Sequence, residues 1–306
     1  MKKIMYYMIV FTLTLLVMSL SGCSSDDDIV KQEEEVEEVV EGPSAEDSLT
    51  VPEDTSFLGD SIMYMKTYSL SEYAIKEVSV STTQNGHITV MGGYKDQSTV
   101  YVYAKVDDDK DDLDEEQVKR ILEKYYTVDS YVSNAEIVAN IKEKEGVTYD
   151  SDFRNLRISV KVFAPQNVST LLNVARGSII VKDIHGNQHT ATSVSGTIKY
   201  IDSSGKNITV NTENGYIGLI NTDASQAMNA RLAKGNIQIA LPKDAKAGLL
   251  LESSTKVNAY ILNHSNFSGT NTRTKVEGTL NGGGYKIEAN SGLGVINLRW
   301  YEKGKD

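Results

Sequence analysis

The stretches Arg176-Gly177-Ser178-Ile179-Ile180-Val181, Ser195-Gly196-Thr197-Ile198-Lys199-Tyr200, Asn214-Gly215-Tyr216-Ile217-Gly218-Leu219 and Lys234-Gly235-Asn236-Ile237-Gln238-Ile239 are one pattern written four times. The glycines are 19, 19 and 20 residues apart, and each is followed two residues later by isoleucine. Val181, Tyr200, Leu219 and Ile239 stand four residues after the glycines; Leu172, Ala191, Val210 and Ala230 stand five before. A glycine free to adopt positive φ can bend the chain once per repeat. Offsets of two and four share one strand face, because side chains alternate. Stacked about 4.8 Å apart, such strands place isoleucine on isoleucine, and no single coil buries that face alone. The pattern predicts an all-β fold whose residues 166–306 form a single-stranded parallel β-solenoid. A β-sandwich is the competing fold, but it gives no reason to repeat isoleucine at fixed offsets in successive hairpins.

Working outward, Asn85-Gly86-His87-Ile88 carries the same signature and Ser291-Gly292-Leu293-Gly294-Val295-Ile296 a looser one. Residues 61–165 read as an N-terminal β-rich region: Glu77–Ser81, His87–Val90, Thr99–Tyr103 and Arg157–Val162 alternate apolar with polar. One segment departs from that period. Leu113, Val118, Ile121, Leu122 and Tyr125 recur at helical spacing, predicting an amphipathic helix over about 112–126 with Asp112 and Glu115 as a capping box.

The first sixty residues read as an address and a tether. Lys2 and Lys3 precede an apolar run from Ile4 to Leu20, and Leu20-Ser21-Gly22-Cys23 follows the form of a lipobox, which predicts a signal peptide over 1–22 and lipidation at Cys23. Several acyl chains would then hold the protein on a bacterial membrane, outside the cytoplasm. Residues 24–60 carry fourteen acids and only Lys31, so 23–60 read as an acidic disordered tether; Ser24 and Ser25 followed by acids also suit a surface-export signal. The chain has 306 residues and a net charge of −11, but residues 61–306 balance at 28 bases against 28 acids. No basic surface for nucleic acid is indicated. The single cysteine excludes a disulfide framework and any Cys-cluster metal site.

Candidate chemistry is sparse. Asp183 and Asp202 share one repeat offset, six after the glycine, with Asn221 next. Two stacked carboxylates could serve a polysaccharide-active enzyme or a Ca²⁺ ion, although Asp and Asn also start turns. The acidic run from Asp107 fails as an EF-hand, since the required Gly falls on Asp112 and the closing Glu on Val118. His185 and His189 flank a turn and read as surface histidines. Gly282-Gly283-Gly284 reads as a hairpin turn and Ser291–Gly294 as an end cap, neither leading into a helix that would cradle phosphate. Tyr64, Tyr68, Tyr73, Tyr94, Tyr101 and Tyr103 cluster in the N-terminal part, where strand propensity or a protein- or glycan-binding row explains them.

The Gly-x-Ile turns about every 20 residues, the N-terminal β stretch with one acid-capped helix and the lipoprotein leader resemble the bacterial putative-adhesin family of right-handed β-solenoid domains, over roughly residues 70–300. The resemblance implies a surface or periplasmic domain with an adhesion role and supplies no catalytic residues. The expectation is a cell-envelope lipoprotein acting as a non-catalytic binding or adhesion module. It has no cofactor or metal, and its partner is a protein, peptide or glycan of the cell surface. Alternatives are an envelope-stress lipoprotein sensing a peptide or cell-wall ligand, and an enzyme using Asp183 and Asp202.

Overall fold

The computed structural model describes residues 61–106, 113–151 and 153–303; the leader, Cys23, the acidic stretch and Asp112 lie outside the described residues. In chain order the elements are β1 (Ser61–Ser69), β2 (Glu77–Asn85), β3 (Ile88–Met91), β4 (Gln97–Val106), α1 (Glu115–Tyr125), β5 (Tyr126–Ser133), β6 (Glu136–Glu143), β7 (Leu156–Phe163), β8 (Ser169–Arg176) and β9 (Ile179–Lys182). There follow β10 (Gln188–Ile201), β11 (Ser204–Ile220), β12 (Asp223–Leu241), β13 (Ala247–Ser253), β14 (Lys256–Ala259), a 3-10 turn (Tyr260–His264), β15 (Phe267–Asn271), β16 (Lys275–Leu280), β17 (Tyr285–Leu293) and β18 (Val295–Trp300). The fold is predominantly β, with one α-helix among the described residues.

The repeat glycines bend long strands in their middle. β10, β11 and β12 pair in parallel and in register, so Gly196 lies beside Gly215 and Gly215 beside Gly235. All three have φ between +132° and +142°. Beyond the bend, Ile88, Ile179, Ile198, Ile217, Ile237, Ile296 and Val257 form one continuous ladder. Before it, Val80, Leu172, Ala191, Val210, Ala230, Ala289 and Leu251 form another. Both ladders are buried in one core. A buried Ile contributes roughly 1.5–3 kcal/mol, and here each is covered by the coils on either side of it.

Hydrogen bonding makes one sheet of eighteen strands, folded along the glycines into two walls. Wall I runs β1-β4-β7-β3-β9, the second halves of β10, β11 and β12, then β18-β14. Wall II runs β5-β6-β2-β8, the first halves of the same strands, then β17-β13-β16-β15.

The sheet is mixed rather than a uniform parallel solenoid, and its coils are not stacked in sequence order. β17 and β18 insert between β12 and the pair β13/β14, while β6 and β7 lie outside β2 and β3. Antiparallel strands β1, β4 and β5 flank one end; at the other, β16 and β15 flank wall II while wall I ends on the parallel strand β14. Two readings are corrected by this topology. Residues 281–284 make no hairpin, because β16 and β17 flank β13 on opposite sides. Residues 291–294 make no end cap, because Gly294 stands in the glycine column, packed on Gly235.

The helix begins later than the acid pattern suggests. Asp114, not Asp112, is the cap: its carboxylate accepts from Gln117 N at 2.8 Å while Gln117 Oε1 accepts from Asp114 N at 2.9 Å. An amide at the third position closes this box as well as a carboxylate does. Val118, Ile121, Leu122 and Tyr125 point into the core.

Candidate binding surface

Asp183, Asp202 and Asn221 occupy the corner where each coil turns back, with φ of 56°, 49° and 46°. Short polar side chains tolerate this left-handed conformation better than other non-glycine residues. Asn221 Nδ2 donates to Asp202 Oδ1 at 2.8 Å, one rung of a corner ladder. Backbone conformation thus accounts for the acid column, and no group of three or more His, Cys, Asp or Glu suited to a metal ion exists among the described residues.

The next column reads His185, Ser204, Asp223. His185 Nδ1 lies 3.0 Å from Ser204 Oγ, and Asp223 stands on the far side of that serine. Asp223 Oδ1 accepts from its neighbour Ala224 N at 2.9 Å. In a nucleophilic triad the histidine lies between serine and acid; here the serine is in the middle, so the acid cannot orient the imidazole.

His189 overturns the surface reading: it is 1% exposed. Its Nε2 donates to the Ser204 carbonyl at 3.0 Å, which leaves Nδ1 as the acceptor for the Thr170 hydroxyl at 3.0 Å. Thr170 Oγ1 in turn accepts from the buried Tyr200 hydroxyl at 3.1 Å. The chain of donors is complete only for neutral imidazole, so the network joins the two walls without a buried charge. Burial pushes the His189 pKa below its usual value, and the Tyr200 hydroxyl is pushed up by the same cause. The unfolded chain, with a histidine near pH 6.5, then binds more protons than the native one through the window below that value. Stability should therefore be full above about pH 6.5 and fall as pH drops through that window toward the depressed native value. Urea midpoints from pH 7.5 to 5 check this; a His189→Gln variant should lose that part of the slope, and an unchanged slope would count against the network.

The tyrosine cluster divides. Tyr68 is buried, its hydroxyl 2.7 Å from Ser130 Oγ. Tyr101 and Tyr103, two apart on β4, face outward from wall I together with Phe163 of β7, and Tyr94 reaches them from the loop after β3. Successive ring centroids from Tyr94 through Phe163 and Tyr101 to Tyr103 are 4.6, 5.8 and 6.3 Å apart. Lys161 Nζ lies 5.0 Å from the Phe163 centroid. Met65, beside Tyr101, is 59% exposed, and Ile62, beside Tyr103, 49%. Sequence reading found the tyrosines but missed Phe163, Lys161 and Met65, which only strand pairing brings to the same patch.

The walls also differ in charge. Wall I contains Lys66, Lys105, Arg157, Lys161, Lys182, Lys199, Lys256 and Arg299, and none of its strand segments contains an acid. Wall II carries Glu77, Asp129, Glu136, Glu143, Glu213, Asp223, Glu252, Glu277 and Glu288 among its bases. A shallow groove of about 440 Å³ on wall II, lined by Thr192, Asn211, Arg231 and Asn290, has its guanidinium paired with Glu288 at 3.6 Å. The signal for this asymmetry was legible in segments such as Thr99–Lys105 and Arg157–Phe163, which are rich in rings and bases and free of carboxylates.

No helix among the described residues is long and apolar enough to cross a membrane. No family model and no curated protein matches the chain. Solved structures with partial similarity include a "putative cell adhesion protein" from Clostridium sporogenes, 12% identical over 78% of this chain and 98% of that one, with a TM-score of 0.43. A "putative adhesin" from Bacteroides fragilis is 11% identical over 77% and 96%, with a TM-score of 0.37. A "putative lipid binding protein" from Parabacteroides distasonis is 12% identical over 77% and 97%, with a TM-score of 0.30. Likeness of this degree assigns neither a family nor a function.

Proposed function

We propose that the chain is a cell-envelope lipoprotein, anchored through Cys23, that acts as a non-catalytic binding module. Its parallel coils make a short β-solenoid, and the acidic stretch carries that body away from the membrane. One observation carries the reading: a row of four aromatic rings stands on the outer side of a wall whose inner side is already a closed core. Rings on an outer face add nothing to the core, whereas rigid amphipathic rings supply contact area to a partner at low entropic cost. Turn geometry at Asp183 and Asp202, and the serine-centred order of His185, Ser204 and Asp223, favour this reading over catalysis.

Attachment of cells to glycan- and protein-coated surfaces tests it. Cells lacking the protein should regain attachment with the wild-type chain and with the paired change Asp183→Asn and Asp202→Asn. The paired change Tyr101→Ala and Phe163→Ala should abolish it while leaving the melting temperature of the purified protein within a few degrees of wild type. Loss through the aspartates instead would move the function to the corner column.

A further inference from the structure

We infer that the acid-free wall takes an anionic polysaccharide, a chain of sugar rings bearing carboxylate, sulfate or phosphate groups. This rests on the binding-module reading and specifies the chemistry of its surface. Lys66 turns to the inner side, where its Nζ donates to the Ser130 carbonyl, and Lys199 is buried. Lys105, Arg157, Lys161, Lys182, Lys256 and Arg299 remain on the outer side of a wall whose strands hold no acid, in a body whose residues 61–306 balance at 28 bases against 28 acids, so that this side attracts anions. Pairing fixes how the groups on it line up. Across neighbouring strands, Met65, Tyr101, Lys161, Thr89 and Ile180 form one row. Thr67, Thr99, Phe163, Met91 and Lys182 form the next, one step along the strands. Each row crosses the strands in steps of about 4.8 Å and carries both a ring and an ammonium. Ring faces suit the C–H faces of sugars, and the ammonium groups suit their acidic substituents. Lys161, 5.0 Å from the Phe163 ring, brings both contacts within reach of one sugar unit.

A lipid surface fits less well. Membrane insertion gains roughly 0.8 kcal/mol per buried CH₂, and on this wall, among the described residues, Ile62 and Met65 at one edge are the aliphatic side chains that project strongly. Tyr101, Tyr103 and Phe163 lie half-buried along the wall, and Tyr94 is exposed.

The full-length protein carrying Cys23→Ser, so that no acyl chain contributes, is titrated with polygalacturonate, with dextran as the uncharged polymer, and with vesicles of phosphatidylglycerol. Polygalacturonate should bind at least about tenfold more tightly than dextran and weaken as salt rises, because exposed charges are screened within about 10 Å at 0.1 M. The paired change Lys161→Glu and Lys182→Glu should weaken it at least about tenfold, whereas Arg231→Glu on wall II should not. Equal binding of dextran would remove charge from the recognition, and binding of vesicles without polygalacturonate would assign the wall to lipid. If none of the three binds while cell attachment still depends on Tyr101 and Phe163, the polysaccharide inference fails and the binding module stands. If ring-dependent attachment is absent too, both fall.

Discussion

Gly215→Ala should leave the protein unfolded, or lower its stability by more than about 4 kcal/mol, the range reserved for changes that break a packed element. Two costs coincide at this position. Gly215 has φ +132°, a conformation that L side chains rarely adopt, worth about 1–3 kcal/mol of strain. A Cβ there would also stand 1.9 Å from the carbonyl oxygen of Gly196 in the adjoining coil, so the coils would have to separate. The same contact recurs along the column, with Gly177 on Gly86, Gly196 on Gly177, Gly235 on Gly215 and Gly294 on Gly235. Separation at one rung would therefore strip packing from the isoleucine ladder on both sides. Gly248→Ala is the control: a Cβ at that site meets nothing within 4 Å, and its backbone is not left-handed. Denaturant unfolding monitored by circular dichroism should place Gly248→Ala near wild type and Gly215→Ala far below it; equal midpoints would mean that the glycine column does not set the coil spacing.

The column was legible because its cause is local and repeated. A residue that must lack a Cβ, followed at fixed offset by one that must be apolar, leaves the same trace in each coil, even at Gly86 and Gly294 outside the main run. What the sequence could not convey is which coil lies beside which. β18 sits between β12 and β14 because its own column fits there, yet Ile296 is 59 residues from Ile237 and 39 from Val257, and nothing in a local window records either pairing. His189 was misread for a different reason. Its burial depends on Thr170 of β8 and Ser204 at the start of β11 meeting its two nitrogens, and residue type alone says only that imidazole is polar. The aromatic row lay between these cases: Tyr101 and Tyr103 share a face by alternation, but the antiparallel register of β4 with β7 was needed to add Phe163 and Lys161.

Ile217→Asp probes the ladder with a charge and should show a pH dependence opposite in sign to that of His189. Ile217 is fully buried, with Ile198 beside it in one coil and Ile237 in the other, so a carboxylate there would have neither water nor a cation. Removing the side chain alone costs about 2–5 kcal/mol by the usual behaviour of buried Ile, and burying an unpaired ionised group adds further to that. The native state would respond by holding the new carboxyl protonated, raising its pKa above the unfolded value of about 3.9. A raised acid pKa means that the native chain binds more protons than the unfolded one above that value. The variant is then least destabilised below about pH 4 and progressively more so as pH rises toward its native pKa. Ile217→Asn, similar in size and unable to ionise, should be destabilised without that extra slope. Urea midpoints of the two variants, each measured against wild type at pH 4 and pH 7.5, separate the terms: a widening gap between Asp and Asn at the higher pH places residue 217 in a dry interior. Equal, small losses for both at each pH would put the ladder in contact with solvent and remove the stacking on which the exposed wall, its rings and its charge depend.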